Sequence, residues 1–387
     1  MCVGGSVMRV ARSVMRVGLV ARRFDPAGGG TERDLIVTAQ CLAEAGHDIT
    51  VYAAEVRGTV RRWRVVQVGS RWPSRPLQLM RFAWEAPAQA RRDGADLVLS
   101  FARAVGADIL RSGGGAHSAY LRSARRWRGE WAAAAMRLRP YHRAQIIVER
   151  SAFKSPTLRK AIAVSQLVRT QLIDEFDLDP DKAVTLYNGV DLERFHPSSL
   201  AERARFRQMY EVETGAPVVA FVGNGFARKG LGPLIEAWPA IKSRPYLLVA
   251  GVDRSALRYI RLAHRLGIGS RVRFLGAVGQ IEQLFHAADA FALPSFFEPF
   301  GNVVMEAMAA GLGVLASAQS GVAELLPAAM HPFVVKDPGN SAEIAERLAA
   351  LLETKHQSKD AVRAAAEAHP WSGYTAGLLE IIDSAKG

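Results

Sequence analysis

The 387-residue sequence contains only two cysteines, Cys2 and Cys41. Two thiols are too few for a disulfide framework or a cysteine-based zinc site, so we expect a reducing cytoplasmic environment. Long apolar runs are also missing, because the longest are strand-sized and fall short of the roughly 20 residues that a membrane-spanning helix needs. The basic start, MCVGGSVMRVARSVMRVGLVARR, lacks the apolar centre and cleavage site of a signal peptide. Met1, Met8 and Met15 all stay open as the translation start.

Acidic residues are in deficit: 37 Asp and Glu stand against 50 Lys and Arg, which gives a net charge of +13. Most of this excess lies between Tyr120 and Lys160, where eleven Lys and Arg residues oppose only Glu130 and Glu149. Such a concentration indicates a polyanionic neighbour, which is nucleic acid, phospholipid or a phosphorylated substrate.

We expect the stretch Leu121–Lys160, called the basic segment below, to lie against anionic lipid. It mixes cationic and apolar side chains, as segments in a membrane interface do. The alternative is a helix whose tryptophans fill a core while its arginines are solvated. The side chains concerned are Arg122, Arg125, Arg126, Trp127, Arg128, Trp131 and Met136.

The chain is longer than one hydrophobic core usually serves, and both halves alternate strand and helix signals. In the first, a buried strand MRVGLVA precedes a Gly-rich turn and a helix through Ala45, with Thr31 and Asp34 in a capping-box pattern. We predict an α/β protein with two Rossmann-like, doubly wound domains facing a central cleft. Their expected bounds are 15–192, completed by a C-terminal helix 371–387, and 200–368. Ligands of such folds bind at the carboxyl ends of the strands.

The stretch FVGNGFARKG follows the first predicted strand of the second domain. Gly223 and Gly225 keep side chains away from a ligand, while Arg228 and Lys229 place two cations at a helix start that favours anions. This pattern predicts a diphosphate site that also includes Asn224. A Walker Gly-Lys-Ser/Thr and the third glycine of a dinucleotide fingerprint are both missing. The alternative is a flexible turn with solvated cations.

A second stretch, EPFGNVVME, carries Glu298 in a Pro/Gly turn and Glu306 inside an apolar run. We predict a strand that ends near Pro294, then a loop, then a helix from about Val303 with Asn302 as its N-cap. Glu306 suits the two hydroxyls of a ribose, and Glu298 suits the hydroxyls of a second sugar. Alternatively, Glu306 marks the solvent side of the helix. Amides at the helix start are expected to hold hydroxyls or phosphate: those of Phe300, Gly301, Asn302 and Val303.

Together, GGGTERD, VTLYNGVDLERFHP, FVGNGFARKG and EPFGNVVME resemble the family 4 retaining glycosyltransferases of the GT-B fold, over the chain from about Met15. The first half is most similar to the lipopolysaccharide core glucosyltransferases that add glucose to heptose I. The resemblance implies that Arg228 and Lys229 neutralise the leaving diphosphate. It also implies that Glu306 binds the ribose and Glu298 the transferred sugar, while Gly29 and Gly30 bring amides from the opposite domain to the phosphate.

In that family no metal or other cofactor takes part, and the donor is a sugar nucleotide. The sequence agrees weakly, because its only Asp-x-Asp pattern, at Asp177, Asp179 and Asp181, fits a solvated turn. The resemblance also implies two further active-site candidates, Asp108 and His117. Their alternatives are a turn cap for Asp108 and a loop histidine without a role for His117.

We therefore expect a cytoplasmic glycosyltransferase at the inner face of the membrane, with UDP-glucose as donor and a heptose-containing lipid A core as acceptor. Mannosyl or other hexosyl transfer to a different lipid or glycan is one alternative. A basic nucleic-acid-binding protein is another, but it leaves EPFGNVVME without a purpose. A dinucleotide oxidoreductase is disfavoured by the missing glycine. The sequence leaves open the sugar, the base, the acceptor and the oligomeric state.

Overall fold

The computed structural model describes residues 14–60, 62–69, 74–354 and 359–385. Met1, Met8 and Cys2 lie outside these ranges. The chain forms two compact units: the first runs to Arg111 and includes Val148–Lys160, and the second comprises Ser112–Ile147 and the chain from Ala161 onward. The domain bounds expected from the sequence stay a prediction.

The described strands form two sheets. The first has the order β3-β2-β1-β4-β5-β6-β7 and the second the order β10-β9-β8-β11-β12-β13. Pairs such as β1 with β2 and β8 with β9 run parallel. The strands are β1 Arg16–Phe24, β2 Asp48–Val56, β3 Arg64–Gln67, β4 Leu97–Ser100, β5 Ile109–Ser112, β6 Lys160–Ala163, β7 Ala183–Thr185, β8 Val218–Val222, β9 Tyr246–Ala250, β10 Val272–Gly276, β11 Ala290–Leu293, β12 Gly313–Ser317 and β13 Val334–Val335.

Helices alternate with these strands, as the sequence pattern predicts. Those in the described residues are α1 Thr31–Glu44, α2 Arg75–Arg92, α3 His117–Ser123, α4 Arg125–Arg128, α5 Glu130–Leu138, α6 Pro140–Phe153, α7 Gln166–Phe176, α8 Leu200–Met209, α9 Leu231–Ala237, α10 Ala256–Arg265, α11 Ile281–Ala287, α12 Asn302–Ala309, α13 Ser341–Glu353, α14 Lys359–Glu367 and α15 Trp371–Ser384. None of them is both long enough and apolar enough to cross a membrane.

The central strands are buried along nearly their whole length, which explains their continuous apolar runs. In β1, the residues from Val17 to Ala21 are buried, and β9 and β12 are buried throughout. The prediction of two parallel-sheet α/β domains is therefore confirmed.

Parallel strands also bring their carboxyl ends to one edge of the sheet, where ligands of this fold class bind. Strands β8 and β11 are neighbours, with Ala290 opposite Val219 and Phe291 opposite Ala220. The loops that follow these two strands, β8 to α9 and β11 to α12, therefore start side by side at that edge.

The predicted capping box at the start of α1 is wrong. Gly30 is the N-cap, no side chain caps the helix, and Thr31 is already its first helical residue. Asp34 instead forms a buried ion pair with Arg111 at 2.7 Å. A buried guanidinium needs an acidic partner, and this requirement explains the use of Asp34 better than a cap does.

The basic segment folds into short helices in which some of the apolar side chains face inward. Met136 is 5% exposed and belongs to a small core with Leu121, Ala124 and Ala133, against which Trp127 packs. Its predicted availability to lipid is therefore wrong. Trp131, in contrast, is 91% exposed. The opposite faces of α5 explain this difference, since Ala133 and Met136 lie three residues apart on the buried side.

Candidate donor-binding site

Two loops of the second unit are joined by backbone contacts at the carboxyl edge of the sheet. The amide of Phe296 donates to the carbonyl of Arg228 at 2.8 Å. In return, Arg228 Nη1 donates to the carbonyl of Phe297 at 2.6 Å. These two bonds fix the β8–α9 loop, which carries the cations, against the β11–α12 loop, which carries Glu298.

Arg228, Lys229 and Glu298 form an ion triad. Lys229 Nζ and Arg228 Nη1 both contact Glu298 Oε2, the latter at 3.2 Å. Side-chain exposure is 10% for Lys229 and 12% for Glu298. Burial opposes ionisation of Glu298, but the two cations hold its pKa below the usual value, while burial lowers the pKa of Lys229. With two cations and one carboxylate, the triad keeps a net positive charge that an anionic ligand can engage.

Two glycines of the predicted diphosphate loop provide the room that this arrangement needs. A Cβ on Gly223 would lie 3.0 Å from Lys229 Cε, and φ there is +152°. A Cβ on Gly230, where φ is +78°, would lie 2.0 Å from the carbonyl oxygen of Pro294. The first glycine therefore accommodates the Lys229 side chain, and the second allows the start of α9 to contact the strand end.

Asn224 connects this loop to the loop that follows β9. Its Oδ1 accepts a hydrogen bond from the amide of Val252 at 2.7 Å. The carbonyl group is thus engaged within the protein, and Asn224 holds the shape of the loop.

The helix that carries Glu306 begins one residue earlier than predicted. Gly301, in the left-handed region with φ 110°, is the N-cap, and Asn302 is the first helical residue. The prediction of Asn302 as N-cap is wrong, because its Oδ1 instead accepts from Asn188 Nδ2 at 2.6 Å. Glu306 lies one turn into α12 and is 4% exposed, so it does not mark a solvent face. A buried carboxylate at this depth needs polar partners.

The neighbouring residues of the predicted amide cluster are held equally firmly. Phe300 is 3% exposed, and its carbonyl accepts from Ser320 Oγ at 3.0 Å and from the amide of Val322 at 2.9 Å. Val303 is half-buried in the first turn of α12. Two hydrogen bonds to the carbonyl therefore hold the backbone at Phe300.

Sequence reasoning missed several side chains that support this edge. Asn188, within the motif VTLYNGVDLERFHP, contacts Asn302, and Ser165 Oγ donates to the carbonyl of Pro299 at 2.7 Å. Tyr187 donates to Glu324 at 3.0 Å, and burial together with this bond raises the pKa of Tyr187 to about 12. In the sequence, the adjacent Tyr187 and Asn188 of this motif were the available sign of such supporting residues. Ser165 and Glu324 had none.

His117 begins α3, just beyond the carboxyl end of β5, and is 8% exposed. Its Nε2 lies 3.0 Å from His142 Nδ1, and its ring stacks on Tyr120 with centroids 5.7 Å apart. Burial and the nearby Arg139 and Arg128 lower the pKa of His142. Tyr120 in turn packs on Phe297, with ring centroids 5.8 Å apart, and so links His117 to the loop that carries Glu298.

Asp108 precedes β5 and therefore lies at the amino end of the strand, away from the carboxyl edge. Its carboxylate accepts from the amide of Val98 at 2.7 Å and pairs with Arg91 and, at 3.7 Å, with Arg159. These contacts give it a structural role within the first unit. They fit neither the expected active-site role nor a simple turn cap.

The other predicted residues of the first unit are Gly29 and Gly30, both exposed in the loop between β1 and α1. A Cβ on either would meet nothing within 4 Å. Their predicted contact with phosphate stays a prediction.

The acidic cluster at Asp177, Asp179 and Asp181 forms an exposed turn. Asp177 caps α7 in the left-handed conformation, and Asp179 Oδ1 accepts from the amide of Asp181 at 3.0 Å. Within the ranges that the structure describes, no group of three or more His, Cys, Asp or Glu side chains is placed to hold a metal ion.

Models of known protein families match both halves of the chain. Residues 28–194 match the model of Glycosyltransferase Family 4, and residues 202–368 match that of Glycosyl transferases group 1. The crystal structure of WaaG, a glycosyltransferase involved in lipopolysaccharide biosynthesis, is similar with a TM-score of 0.82 at 22% identity, over 95% of this chain and 99% of that one. The chain belongs to the glycosyltransferases of the GT-B fold.

Relatives of this glycosyltransferase differ in how much of their length is matched. The lipopolysaccharide glucosyltransferase WaaG of Escherichia coli K12 is 25% identical over 331 residues, which are 84% of this chain and 86% of that protein. MJ1607 of Methanocaldococcus jannaschii, an uncharacterized glycosyltransferase, is 33% identical over 172 residues, 43% of this chain and only 44% of that protein. Anabaena HepE, solved with UDP and glucose, has a TM-score of 0.70 at 21% identity, with 96% and 100% covered.

In this glycosyltransferase, the second unit contains the cation pair, both glutamates of the EPFGNVVME motif and His117. Gly29, Gly30 and Asp108 belong to the first unit. The arrangement in the second unit can therefore neutralise a diphosphate through Arg228 and Lys229 and offer carboxylates to sugar hydroxyls.

Proposed function

We propose that this glycosyltransferase transfers a hexose from a sugar nucleotide with retention of configuration. The observation that carries the proposal is the triad of Arg228, Lys229 and Glu298, whose exposure is 27%, 10% and 12%, together with the buried Glu306 in the helix that follows the Glu298 loop. Arg228 and Lys229 would bind the diphosphate, Glu298 the transferred sugar and Glu306 the ribose. The amides of Phe300 and Gly301, whose carbonyls accept hydrogen bonds from Val322 and Val304, would complete the site.

Leaving-group stabilisation is the central catalytic task in this proposal. As the bond between the sugar and the phosphate breaks, negative charge grows on the diphosphate and positive charge on the sugar ring. Cations that are already in place stabilise the first charge without reorganisation, and such preorganised groups are commonly the largest catalytic contribution. Glu298 would then exchange part of its contact with Lys229 for the hydroxyls of the sugar.

The leaving phosphate itself accepts the acceptor's proton in this scheme, so no side chain need act as a general base. His117 would contact the sugar or the acceptor hydroxyl, while its Nε2 stays near His142. Asp108 takes no part, since its carboxylate is engaged by Arg91 and Arg159. We further propose that catalysis is independent of metal ions.

UDP-glucose is the proposed donor, and a lipopolysaccharide core heptose is the proposed acceptor. Support comes from WaaG, a lipopolysaccharide glucosyltransferase, and from HepE, which was solved with UDP and glucose. Other hexosyl donors and other lipid or glycan acceptors are the alternatives.

We also propose that the enzyme works at the inner face of the cytoplasmic membrane, attached through the basic segment. Trp131 and Leu138 are 91% and 71% exposed on α5 and supply the apolar contact that Met136 does not. Each cation close to an anionic surface contributes about 1 kcal/mol, so several together suffice for reversible attachment. Four arginines that are exposed in or directly after α4 and α5 are Arg125, Arg128, Arg137 and Arg139.

A panel of UDP-, GDP- and ADP-sugars tests the proposed function. We expect UDP-glucose to raise the melting temperature most and to be hydrolysed slowly without acceptor, with or without a chelator. A GDP- or ADP-sugar preference would revise the donor, and a loss of turnover with chelator would overturn metal independence. If no sugar nucleotide is bound or hydrolysed, while duplex DNA binds at physiological salt, the protein is a nucleic-acid-binding protein instead.

A further inference from the structure

Helix α4 of the basic segment packs directly on the loop that carries Glu298. The rings of Trp127 and Phe296 lie 5.9 Å apart, tilted by 40°. The guanidinium of Arg126 lies 5.7 Å from the centre of the same Phe296 ring and pairs with Asp337 at 2.6 Å. Phe296 is therefore covered by one aromatic and one cationic side chain from a different part of the chain.

A second aromatic contact lies beside the first. The ring of Tyr120 packs edge to face on the ring of Phe297, with centroids 5.8 Å apart. It also packs on the ring of Trp127, with centroids 5.9 Å apart and a tilt of 51°. A Cβ on Gly115, in the loop before α3, would lie 3.2 Å from the Cζ of Phe297. Phe297 is thus held between α3 and the loop before it, with little room to move.

The backbone of these two phenylalanines is joined to the triad by hydrogen bonds. They directly precede Glu298, and the Phe297 carbonyl accepts from Arg228 Nη1 at 2.6 Å. The Phe296 amide donates to the Arg228 carbonyl at 2.8 Å. A displacement of this backbone would therefore carry both Glu298 and the guanidinium of Arg228 with it. Such a displacement should affect Lys229 less, because the side chain of Lys229 packs on Gly223.

We propose that Trp127 is a positioning residue of the donor site: by packing on Phe296, it sets the place of Glu298 and Arg228. This inference rests on the proposed function, because it assigns the site's geometry to a residue of the basic segment. The segment then has two faces with different tasks. Trp127 packs on the β11–α12 loop, whereas Trp131 is 91% exposed.

The test compares Trp127→Ala with Trp127→Phe in the full-length chain, using UDP-glucose hydrolysis in vesicle-free solution and calorimetry with UDP. Misplacement of a reacting group by about 1 Å can cost up to about a hundredfold in rate. We therefore expect kcat to fall at least about tenfold in Trp127→Ala, and Trp127→Phe to restore most of the rate. UDP affinity should fall less than kcat, because Arg228 is displaced while Lys229 keeps its contact with Gly223. Trp84→Ala, at a 41% exposed tryptophan on α2 of the first unit, is the matched control and should behave as wild type.

Two results would overturn the inference. One is a Trp127→Ala protein with unchanged kcat. The other is a joint fall of kcat, UDP affinity and melting temperature that Trp127→Phe does not repair, since that outcome means general destabilisation. Failure of the proposed function is distinguishable, because then the wild-type chain itself would not hydrolyse UDP-glucose or any other sugar nucleotide.

Discussion

Lys229 and Glu298 are 69 residues apart in the sequence and form a buried ion pair at the edge of the second sheet. Glu298 also contacts Arg228, so each cation has the same carboxylate oxygen as its partner. Removing the carboxylate would leave buried positive charge uncompensated, and removing a cation would weaken the site for a diphosphate. The pair therefore links the stability of the loop to the proposed chemistry.

The two glutamates of EPFGNVVME should respond differently to loss of charge. We expect Glu306→Gln to weaken binding of UDP, because the proposed ribose contact is lost. Glu298→Gln should spare UDP affinity while it impairs sugar transfer, because the proposed partner of Glu298 is the hexose. Calorimetry with UDP and a transfer assay on both variants separate the two roles. An equal loss of UDP affinity in both variants would contradict this division.

Acid should weaken the triad. Burial alone would raise the pKa of Glu298, but Lys229 and Arg228 hold it below its ordinary value of 4.5. A carboxyl group whose pKa is lowered by folding stabilises the folded state above its unfolded pKa and loses that contribution as the pH falls through the folded pKa. Between about pH 5 and about pH 3, the free energy of unfolding should therefore fall more steeply for wild type than for Glu298→Gln. Urea titrations of both proteins measure this difference, and parallel curves would refute it.

The outward face of the basic segment should hold the enzyme on anionic lipid. Arg122 and Arg126 pair with Glu175 and Asp337, so they are unsuitable for a clean test. Each arginine close to an anionic surface contributes about 1 kcal/mol to membrane binding. Replacing four other exposed arginines by Gln should therefore reduce sedimentation with phosphatidylglycerol vesicles, and it should leave UDP binding intact. These are Arg125, Arg128, Arg137 and Arg139.

A control with the same loss of charge is available around α10, where four arginines are also exposed. Replacing them by Gln should leave sedimentation unchanged. Equal loss in both quadruple variants would indicate a response to net charge alone, and no loss in either would eliminate the membrane proposal. The control positions are Arg254, Arg258, Arg261 and Arg265.

The sequence was most informative where a local pattern determines the structure. An apolar strand followed by glycine and a helix start fixed the loops after β8 and β11, and hence the neighbourhood of Lys229 and Glu298. The start of α12 was misplaced by one residue, because the Asn188–Asn302 contact spans 114 residues and no local pattern contains it.

Side-chain orientation was the main limit of sequence reasoning. Met136 and Trp131 are both apolar and five residues apart, yet only Met136 faces a core, because that choice depends on what packs against α5. Asp108 shows the same limit. Its partners Arg91 and Arg159 come from elsewhere in the chain and became apparent only in the fold.

Turnover of UDP-glucose by Arg228→Ala and Lys229→Ala tests the account most directly. Both variants should stay folded, since each leaves Glu298 with one cationic partner. Loss of a charge-assisted contact to the leaving phosphate is expected to cost on the order of 2–4 kcal/mol in the transition state. We therefore predict that kcat/KM for UDP-glucose falls strongly in each variant, with Arg261→Gln as an unaffected control. Near-normal turnover in both folded variants would contradict the assignment of this triad to the diphosphate.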